Sequence, residues 1–189
     1  MKPLIVYLFL FVFLFLSCNN TPDKYSIDDF LSSSQLDPMT KYIHSNGYVF
    51  SFDNSNIIAS INQTGVYNAF SIDINTGKKS SLTKDDENAV YVKTYFPNDN
   101  RIIYQSDIGG NELDHVYVLD NDGNIKDLTP GNNLKASFSG WSDDDLYFYI
   151  ETNERDPRYF DLYRYNVNDY SREIIFNNNN GYNIDAISS

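Results

Sequence analysis

The feature that most constrains the fold of this chain is a repeat of about 45 residues. Three segments align with one another: Phe52–Thr83, Phe96–Thr129 and Trp141–Phe176. Their leading aromatic residues lie 44 and 45 residues apart, and the pair Leu82-Thr83 recurs 46 residues later as Leu128-Thr129. Self-similarity at a fixed period is typical of repeat architectures, in which each copy buries its apolar faces against its neighbours. The chain is therefore expected to fold as stacked copies of one small unit.

Each copy has the pattern of four short antiparallel strands. Runs that alternate between apolar and polar residues are broken by Asn, Asp and Gly, which favour tight turns. In the second copy, Arg101–Gln105 is predicted as the second strand and His115–Asp120 as the third. Asp122-Gly123 then supplies the positive φ that a short hairpin needs. The aromatic content of 16% also favours strands, because aromatic side chains suit a pleated, half-buried surface.

A four-stranded unit repeated about every 40–50 residues predicts an all-β fold, a β-propeller in which each unit is one blade. The predicted blades span approximately residues 48–83, 91–129 and 136–176, and residues 182–189 are predicted as the start of a fourth. A β-sandwich with Greek-key connections is the alternative, and it would leave the shared period unexplained. Because propellers usually close about four to eight blades into a ring, we expect an incomplete propeller: a fragment, a truncated reading frame or a frameshifted product.

The first 17 residues have the organisation of a secretory signal peptide. Lys2 supplies a positive charge, and Leu4–Leu16 is an apolar run of 13 residues. That run is shorter than the roughly 18–20 residues that span a bilayer. The end of the run, Phe15-Leu16-Ser17-Cys18, resembles a bacterial lipobox, in which a small residue precedes the cysteine that is lipidated. The pattern departs from the usual lipobox at Phe15 and Leu16.

We therefore predict cleavage behind Ser17 and lipid attachment to Cys18, which is the only cysteine in the chain. Residues 18–25 would form a polar tether, and the lipid would hold the protein to a membrane of the bacterial cell envelope. The alternatives are an ordinary signal peptide with a chance cysteine, or a short uncleaved anchor. Residues 26–47 are read as a lead-in, with a short helix from about Ile27 to Ser34, because Ser26 and Asp29 have capping-box spacing.

The charge balance excludes one class of partner. The chain has 26 acidic and 14 basic residues, for a net charge of −12. A nucleic-acid-binding face needs clustered Lys and Arg, so nucleic acid is not expected as a partner. The acidic residues are expected to form a solvated surface. A single cysteine also excludes a metal site built on several thiolates.

Two histidines are the first candidates for chemistry. His115 starts a predicted strand beside Asp114 and near Glu112, which could make a metal or acid-base pair. One histidine among scattered acids on a strand edge more often makes a surface pair, and that is our interpretation. His44 has no nearby partner pattern.

One acidic segment of the second copy is a candidate for metal binding. Asp120–Asn124 is similar to the start of a calcium loop, but Ile125 occupies the position that needs Gly, and Gly131 stands where the bidentate Glu should be. The segment is therefore read as a turn, and no metal or cofactor site is predicted.

The other charged segment belongs to the third copy. Glu151, Glu154, Arg155 and Arg158 are predicted to lie in or near a salt-bridged loop rather than to bind a ligand. Ser139 has no nucleophile elbow around it.

Two segments carry a family resemblance: Tyr104–Gly131 and Glu151–Tyr165. They resemble the N-terminal propeller of the prolyl oligopeptidase family of serine peptidases, which includes dipeptidyl-peptidase-IV-like and acylaminoacyl-peptidase-like enzymes. The most specific part is "NERDPRYFDLY", Asn153–Tyr163. Tyr25–Leu31 is similar to the short helix that precedes the propeller there. Propeller repeats of the periplasmic TolB-like type share the general blade pattern.

The resemblance implies a fold and an accessory role. That family places its Ser-Asp-His triad in a C-terminal α/β-hydrolase domain, with the nucleophile in a Gly-x-Ser-x-Gly elbow. The chain contains no such motif, so no catalytic residue is predicted and hydrolase activity is not expected. The resemblance implies that the propeller gates a peptide substrate and partners further blades and the hydrolase domain. The alternative function is a non-enzymatic, TolB-like propeller lipoprotein that binds a protein or glycan.

Overall fold

The computed structural model describes residues 35–36, 47–184 and 187. These residues form three four-stranded antiparallel sheets, rather than the two packed sheets of a sandwich. The predicted all-β, partial β-propeller is thereby confirmed. The predicted signal peptide, Cys18, the tether, the short helix at Ile27–Ser34 and His44 lie outside the described residues.

Each sheet is one blade, and its strands follow one another in chain order. Blade 1 consists of β1 (Gln35–Leu36), β2 (Asn56–Asn62), β3 (Tyr67–Asp73) and β4 (Lys79–Ser81). Blade 2 consists of β5 (Tyr91–Tyr95), β6 (Ile102–Ser106), β7 (His115–Leu119) and β8 (Ile125–Asp127). Blade 3 consists of β9 (Ala136–Trp141), β10 (Tyr147–Asp156), β11 (Tyr159–Asn166) and β12 (Arg172–Phe176).

The same turn precedes the second strand of every blade. An aspartate at the turn accepts the backbone N–H of the residue two positions later, which fixes the chain reversal. The pairs are Asp53 with Ser55 (3.0 Å), Asp99 with Arg101 (2.8 Å) and Asp144 with Leu146 (3.1 Å). The aspartates lie 46 and 45 residues apart, so the repeat seen in the sequence is also a repeat of turn geometry.

Strand pairing corrects one detail of the sequence alignment. Phe52 and Phe96 were aligned with Trp141, whereas the pairing places Phe50 and Tyr95 in the equivalent position, just before the turn. Phe52 is 60% exposed. Because several aromatic residues lie close together, the alignment of the repeats was ambiguous by one or two positions. Only the strand register shows which aromatic residue precedes the turn in each blade. Two isolated bridges stand in place of a longer strand before this turn in blade 1: Phe50 pairs with Ile57 of β2, and Tyr48 pairs with Tyr95 of blade 2.

Apolar side chains fill the spaces between the blades. The cluster between blades 2 and 3 includes Ile103, Val116, Val118, Phe138, Phe148 and Ile150. The cluster between blades 1 and 2 includes Ile58, Ala69, Val92, Tyr95, Ile102 and Leu119. A smaller cluster, Ala59, Ile61 and Phe70, lies on the other face of blade 1. Each blade therefore buries one sheet face against its neighbour, which is the stacking that a propeller requires.

In the part of the chain that the structure describes, no helical segment has the length and apolar character that crossing a bilayer requires.

Candidate functional site

His115 lies at the start of β7 with its side chain buried. Its Nδ1 is 2.9 Å from the Oδ2 of Asp127 on the neighbouring strand β8. The ring also stacks on Tyr117 with 6.2 Å between centroids. The predicted surface pair is therefore wrong in two respects: the histidine is 8% exposed, and its hydrogen-bonded carboxylate is Asp127 rather than Asp114 or Glu112. The pair joins β7 to β8. The sequence does not reveal which residues of these two strands lie next to each other.

Asp120 forms the turn that the sequence predicted. Its Oδ1 accepts the backbone N–H groups of Asp122 (2.9 Å) and Asn124 (2.8 Å). Gly123 has a φ of 86°, which costs a glycine little and other residues more. Within the described ranges, no group of three or more His, Cys, Asp or Glu side chains is placed to hold a metal ion.

The charged residues of the third blade lie on a long β-hairpin. Glu151, Glu154 and Arg155 belong to β10, and Arg158 lies in the tight turn that follows it. The loop itself is only a two-residue turn, because the hairpin strands continue to Asp156 and resume at Tyr159. The predicted salt bridges are confirmed, as three of these four residues are ion-paired.

The central ion pair of this hairpin joins Arg155 to Asp161. Arg155 donates from Nε to Oδ2 (2.7 Å) and from Nη2 to Oδ1 (2.8 Å). The Asp161 side chain is fully buried, and its Oδ1 also accepts the backbone N–H of Asn178 (2.7 Å). These donors, led by Arg155, hold the pKa of Asp161 below its ordinary value. The pair thus anchors the segment after β12 to the tip of the hairpin.

A second ion pair lies along the same hairpin. Arg172 Nη1 donates to Glu154 Oε2 over 3.0 Å, and its guanidinium lies over the ring of Tyr163 at 4.9 Å from the centroid. Burial, followed by the hydrogen bond with Glu154, raises the pKa of Tyr163 to about 12. The phenol therefore stays protonated at neutral pH, and this face of blade 3 is a packed polar network.

The repeated Leu-Thr pair has a structural role that the sequence alone did not assign. The buried Oγ1 of Thr83 accepts the backbone N–H of Ala69 over 2.9 Å. The Oγ1 of Thr129 accepts the N–H of Val116 over 3.0 Å. The hydroxyl thus continues the ladder between the third and fourth strands where the backbone pairing ends. The only sign of this role in the sequence was that the Leu-Thr pair recurs after 46 residues.

An arginine clamps blade 2 to blade 3. The guanidinium of Arg101 lies 3.9 Å from the ring centroid of Phe96 and pairs with Asp99 at 2.8 Å. Its Nη1 donates to the carbonyl of Val167 (2.9 Å) and to the hydroxyl of Tyr170 (2.6 Å). The sequence gave no signal for this clamp, because its partners lie 66 and 69 residues away.

A groove opens on the face of blade 1 that points away from blade 2. Its cavity volume is about 330 Å³. Ile61 and Phe70 are buried in it, whereas Lys84 and Asp86 are exposed. This volume is near the lower end of ordinary small-ligand pockets. The groove combines an apolar wall with charged side chains, and nothing in it forms a catalytic constellation.

No model of a known protein family matches the chain. No curated protein matches it either. Solved structures do match, and propeller proteins are among them.

TolB from Acinetobacter baumannii superposes with a TM-score of 0.51 and 17% identity, over 68% of this chain and 31% of that protein. A putative TolB from Agrobacterium tumefaciens superposes with a TM-score of 0.53 and 18% identity, over 68% and 45%. A structure described as one of two prolyl endopeptidases superposes with a TM-score of 0.53 and 12% identity, over 68% and 21%.

These similarities define the class of fold. The chain is a partial β-propeller similar to those in TolB proteins and prolyl endopeptidases. It spans less than half of the length of each of these proteins. At identities below 20%, the likeness concerns the fold and does not separate one function from the other.

Proposed function

We propose that this chain is the N-terminal propeller portion of a membrane-anchored serine peptidase of the prolyl oligopeptidase type. Its role there is to gate the peptide substrate, while the chemistry belongs to an α/β-hydrolase domain. The observation that carries the proposal is the β10–β11 hairpin. The segment Asn153–Tyr163 resembles that family in sequence and forms a paired hairpin in which Arg155 is ion-paired with Asp161. The superposition on a prolyl endopeptidase is in keeping with it.

The proposed role needs no catalytic group in the chain. The sequence has no Gly-x-Ser-x-Gly elbow. Gating requires blades that stay packed together. The described blades are held to one another by buried apolar clusters and by the Arg101 clamp. The partners in this proposal are the peptide substrate, further blades and the hydrolase domain.

A second candidate function is a non-enzymatic propeller lipoprotein that binds a protein or a glycan in the TolB-like manner. Two TolB structures superpose as well as the prolyl endopeptidase does. The charged groove on blade 1 would then be a candidate contact surface.

One experiment separates the two functions. The DNA that follows the codon for Ser189 is read in all frames. Further blade repeats followed by Gly-x-Ser-x-Gly, Asp and His support the peptidase, and the encoded product should then react with a fluorophosphonate probe that labels activated serines. Further blades followed by a stop codon, with no labelling, overturn the peptidase proposal in favour of the binding lipoprotein.

The membrane anchor is proposed separately, on Cys18. Cells that express the chain are grown with radiolabelled palmitate. The wild-type protein should incorporate the label, and the Cys18→Ala variant should not. Equal labelling of both proteins, or none in the wild type, would overturn the proposed anchor.

A further inference from the structure

Asn180 and Gly181 lie in the loop that follows β12. Asn180 is exposed, and among the described residues it is the only asparagine that precedes a glycine. Asparagine is a thermally labile residue, because its carboxamide can react with the backbone nitrogen of the next residue. Glycine has no side chain to hinder that approach. The dipeptide therefore carries the chemistry of spontaneous deamidation.

The reaction needs only water besides the protein. The backbone nitrogen of Gly181 loses its proton and attacks the Cγ of Asn180. The new C–N bond closes a succinimide ring, while the bond from Cγ to Nδ2 breaks and ammonia leaves. Water then opens the ring at either carbonyl and gives aspartate or isoaspartate. Each event replaces a neutral side chain by a negative charge.

The attacking nitrogen is already hydrogen-bonded in the folded chain. The N–H of Gly181 donates to the Oδ1 of Asn178 over 2.9 Å. The same oxygen accepts the N–H of Tyr182 over 3.1 Å and that of Asn180 over 3.3 Å. These bonds hold the proton on the Gly181 nitrogen and fix the position of that nitrogen. The loop must therefore open locally before the attack can occur.

The Asn178 carboxamide is itself held in place. Asn178 is 1% exposed, its N–H donates to Asp161 Oδ1 over 2.7 Å, and its Nδ2 donates to the carbonyl of Tyr182 over 2.8 Å. Gly181 has a φ of 73°, and a Cβ there would lie 3.3 Å from Cε1 of Tyr159. The loop is thus packed against the β10–β11 hairpin, and its opening costs these contacts.

We propose that Asn180 is a deamidation site whose rate is controlled by the buried carboxamide of Asn178. Isoaspartate at this position adds a carbon to the main chain and moves the N–H groups of Gly181 and Tyr182 away from Asn178 Oδ1. The modification therefore releases the loop after β12 from the hairpin. The inference concerns the chemistry of this loop, so it holds for either proposed function.

The test compares the full chain in detergent micelles with a synthetic peptide of residues Asn177–Asn183, both incubated at mildly alkaline pH. Trypsin cleavage after Arg172 releases Glu173–Ser189, and fragmentation mass spectrometry locates the converted residue. Asn180 should deamidate at least about fivefold more slowly in the folded chain, because a hydrogen bond must open first. Equal rates would overturn the control by Asn178, and an unreactive Asn180 in the peptide would overturn the site.

Two variants separate Asn178 from its neighbours. Asn178→Ala should raise the rate in the folded chain toward that of the peptide. Asn177→Ala changes an exposed asparagine of the same loop and should leave the rate unchanged. Asn179 is exposed but does not precede glycine, so it should stay intact in the same tryptic peptide. An unchanged rate in Asn178→Ala, or preferred conversion of Asn179, would contradict the proposal.

A second measurement covers the case in which Asn178→Ala fails to fold. In the wild type, the Gly181 amide should exchange its hydrogen at least about fivefold more slowly than in the peptide, since the same opening exposes it. Exchange at the peptide's rate would reject the protective bond. Neither readout depends on peptidase activity, so failure here is distinguishable from failure of the proposed function.

Discussion

Asp161 shows how one buried carboxylate organises the third blade. It accepts two hydrogen bonds from Arg155 and one from the backbone of Asn178. Asn178 is itself 1% exposed and donates to the carbonyl oxygens of Phe160 and Tyr182. A buried charge is tolerated only when it is paired and hydrogen-bonded.

Asp161→Asn should lower the free energy of unfolding by about 2 kcal/mol. Removing one partner of a buried pair leaves the other charge uncompensated, and the loss stays below the largest values because the Arg155 side chain is 33% exposed. Urea denaturation followed by the fluorescence of Trp141 measures it. The matched control is Asp156→Asn, whose partner Arg158 is 73% exposed, and it should leave stability nearly unchanged. Equal losses in the two variants would contradict the assigned role.

The Asp161 carboxylate should also make the free energy of unfolding decline at low pH. Hydrogen bonds from Arg155 lower the folded-state pKa of Asp161 below its ordinary value of 3.8. Its contribution is therefore complete above pH 3.8 and is lost as the pH falls through the lower, folded-state pKa. Urea midpoints measured at falling pH should decline less steeply in Asp161→Asn than in the wild type. If the urea midpoints of both proteins decline equally, another group controls the loss of stability at low pH.

At the scale of the element, two devices recur among the described blades. An aspartate caps the first turn, and in blades 1 and 2 a threonine hydroxyl replaces a backbone acceptor beside the fourth strand. Both devices satisfy backbone N–H groups, and those that the threonines satisfy are buried, where an unpaired N–H group is costly. The fourth strands of these blades are only three residues long. They depend on these side chains because so few backbone bonds hold them.

Thr129→Val should destabilise the chain by about 2 kcal/mol. Valine has nearly the same shape, but it leaves the buried N–H of Val116 without its acceptor. Thr129→Ser keeps the hydroxyl and removes only a methyl group, so its loss should stay near 1 kcal/mol. Thermal unfolding by circular dichroism compares the three proteins. A larger loss for serine than for valine would show that packing, rather than the hydroxyl, explains the repeated threonine.

At the scale of the whole molecule, stability depends on bonds between blades. Arg101 lies between the rings of Phe96 and Tyr170, at 3.9 and 5.6 Å from their centroids. Trp141 donates from Nε1 to Thr94 Oγ1 in blade 2 over 3.0 Å. These contacts and the apolar clusters make the described blades one stacked unit rather than three independent sheets.

Arg101→Ala should lower the free energy of unfolding by about 2 kcal/mol. The change removes a cation–π contact and two hydrogen bonds to blade 3. Arg101→Lys should recover little of the loss, since an ammonium cannot reproduce the planar fork. Denaturant titration measures both variants. Wild-type stability in Arg101→Ala would show that the apolar clusters alone hold the two blades together.

The chain should also associate as its concentration rises. The outer strand β12 exposes Ile174, Ile175 and Phe176 at 40%, 43% and 37%. Exposed apolar strands at a sheet edge pair readily with other chains, and a lysine on the edge opposes that pairing. Sedimentation velocity should show concentration-dependent association in the wild type and less in Ile175→Lys. A monomer at every concentration would contradict this expectation.

Sequence reasoning succeeded where the pattern is local. The strands near Arg101–Gln105 and His115–Asp120 and the turn at Asp122-Gly123 were predicted from alternation and turn residues within about ten positions. It failed at Phe52 and Phe96, because a run of neighbouring aromatic residues does not reveal register. The bonds from Val92 to Ser60 and from Phe138 to Gln105 were also missed, since Ser and Gln at equivalent positions show no common residue type.

The sequence by itself determined the all-β class, the period of the repeat and the turns, because these depend on residues close together in the chain. Only the tertiary structure decided which distant residues meet: Ser60 with Val92, Arg101 with Tyr170, and Asp161 with Asn178. The physical reason is that contacts between residues distant in the chain depend on strand register and on bulges. A shift of one residue would turn each of these side chains to the opposite face.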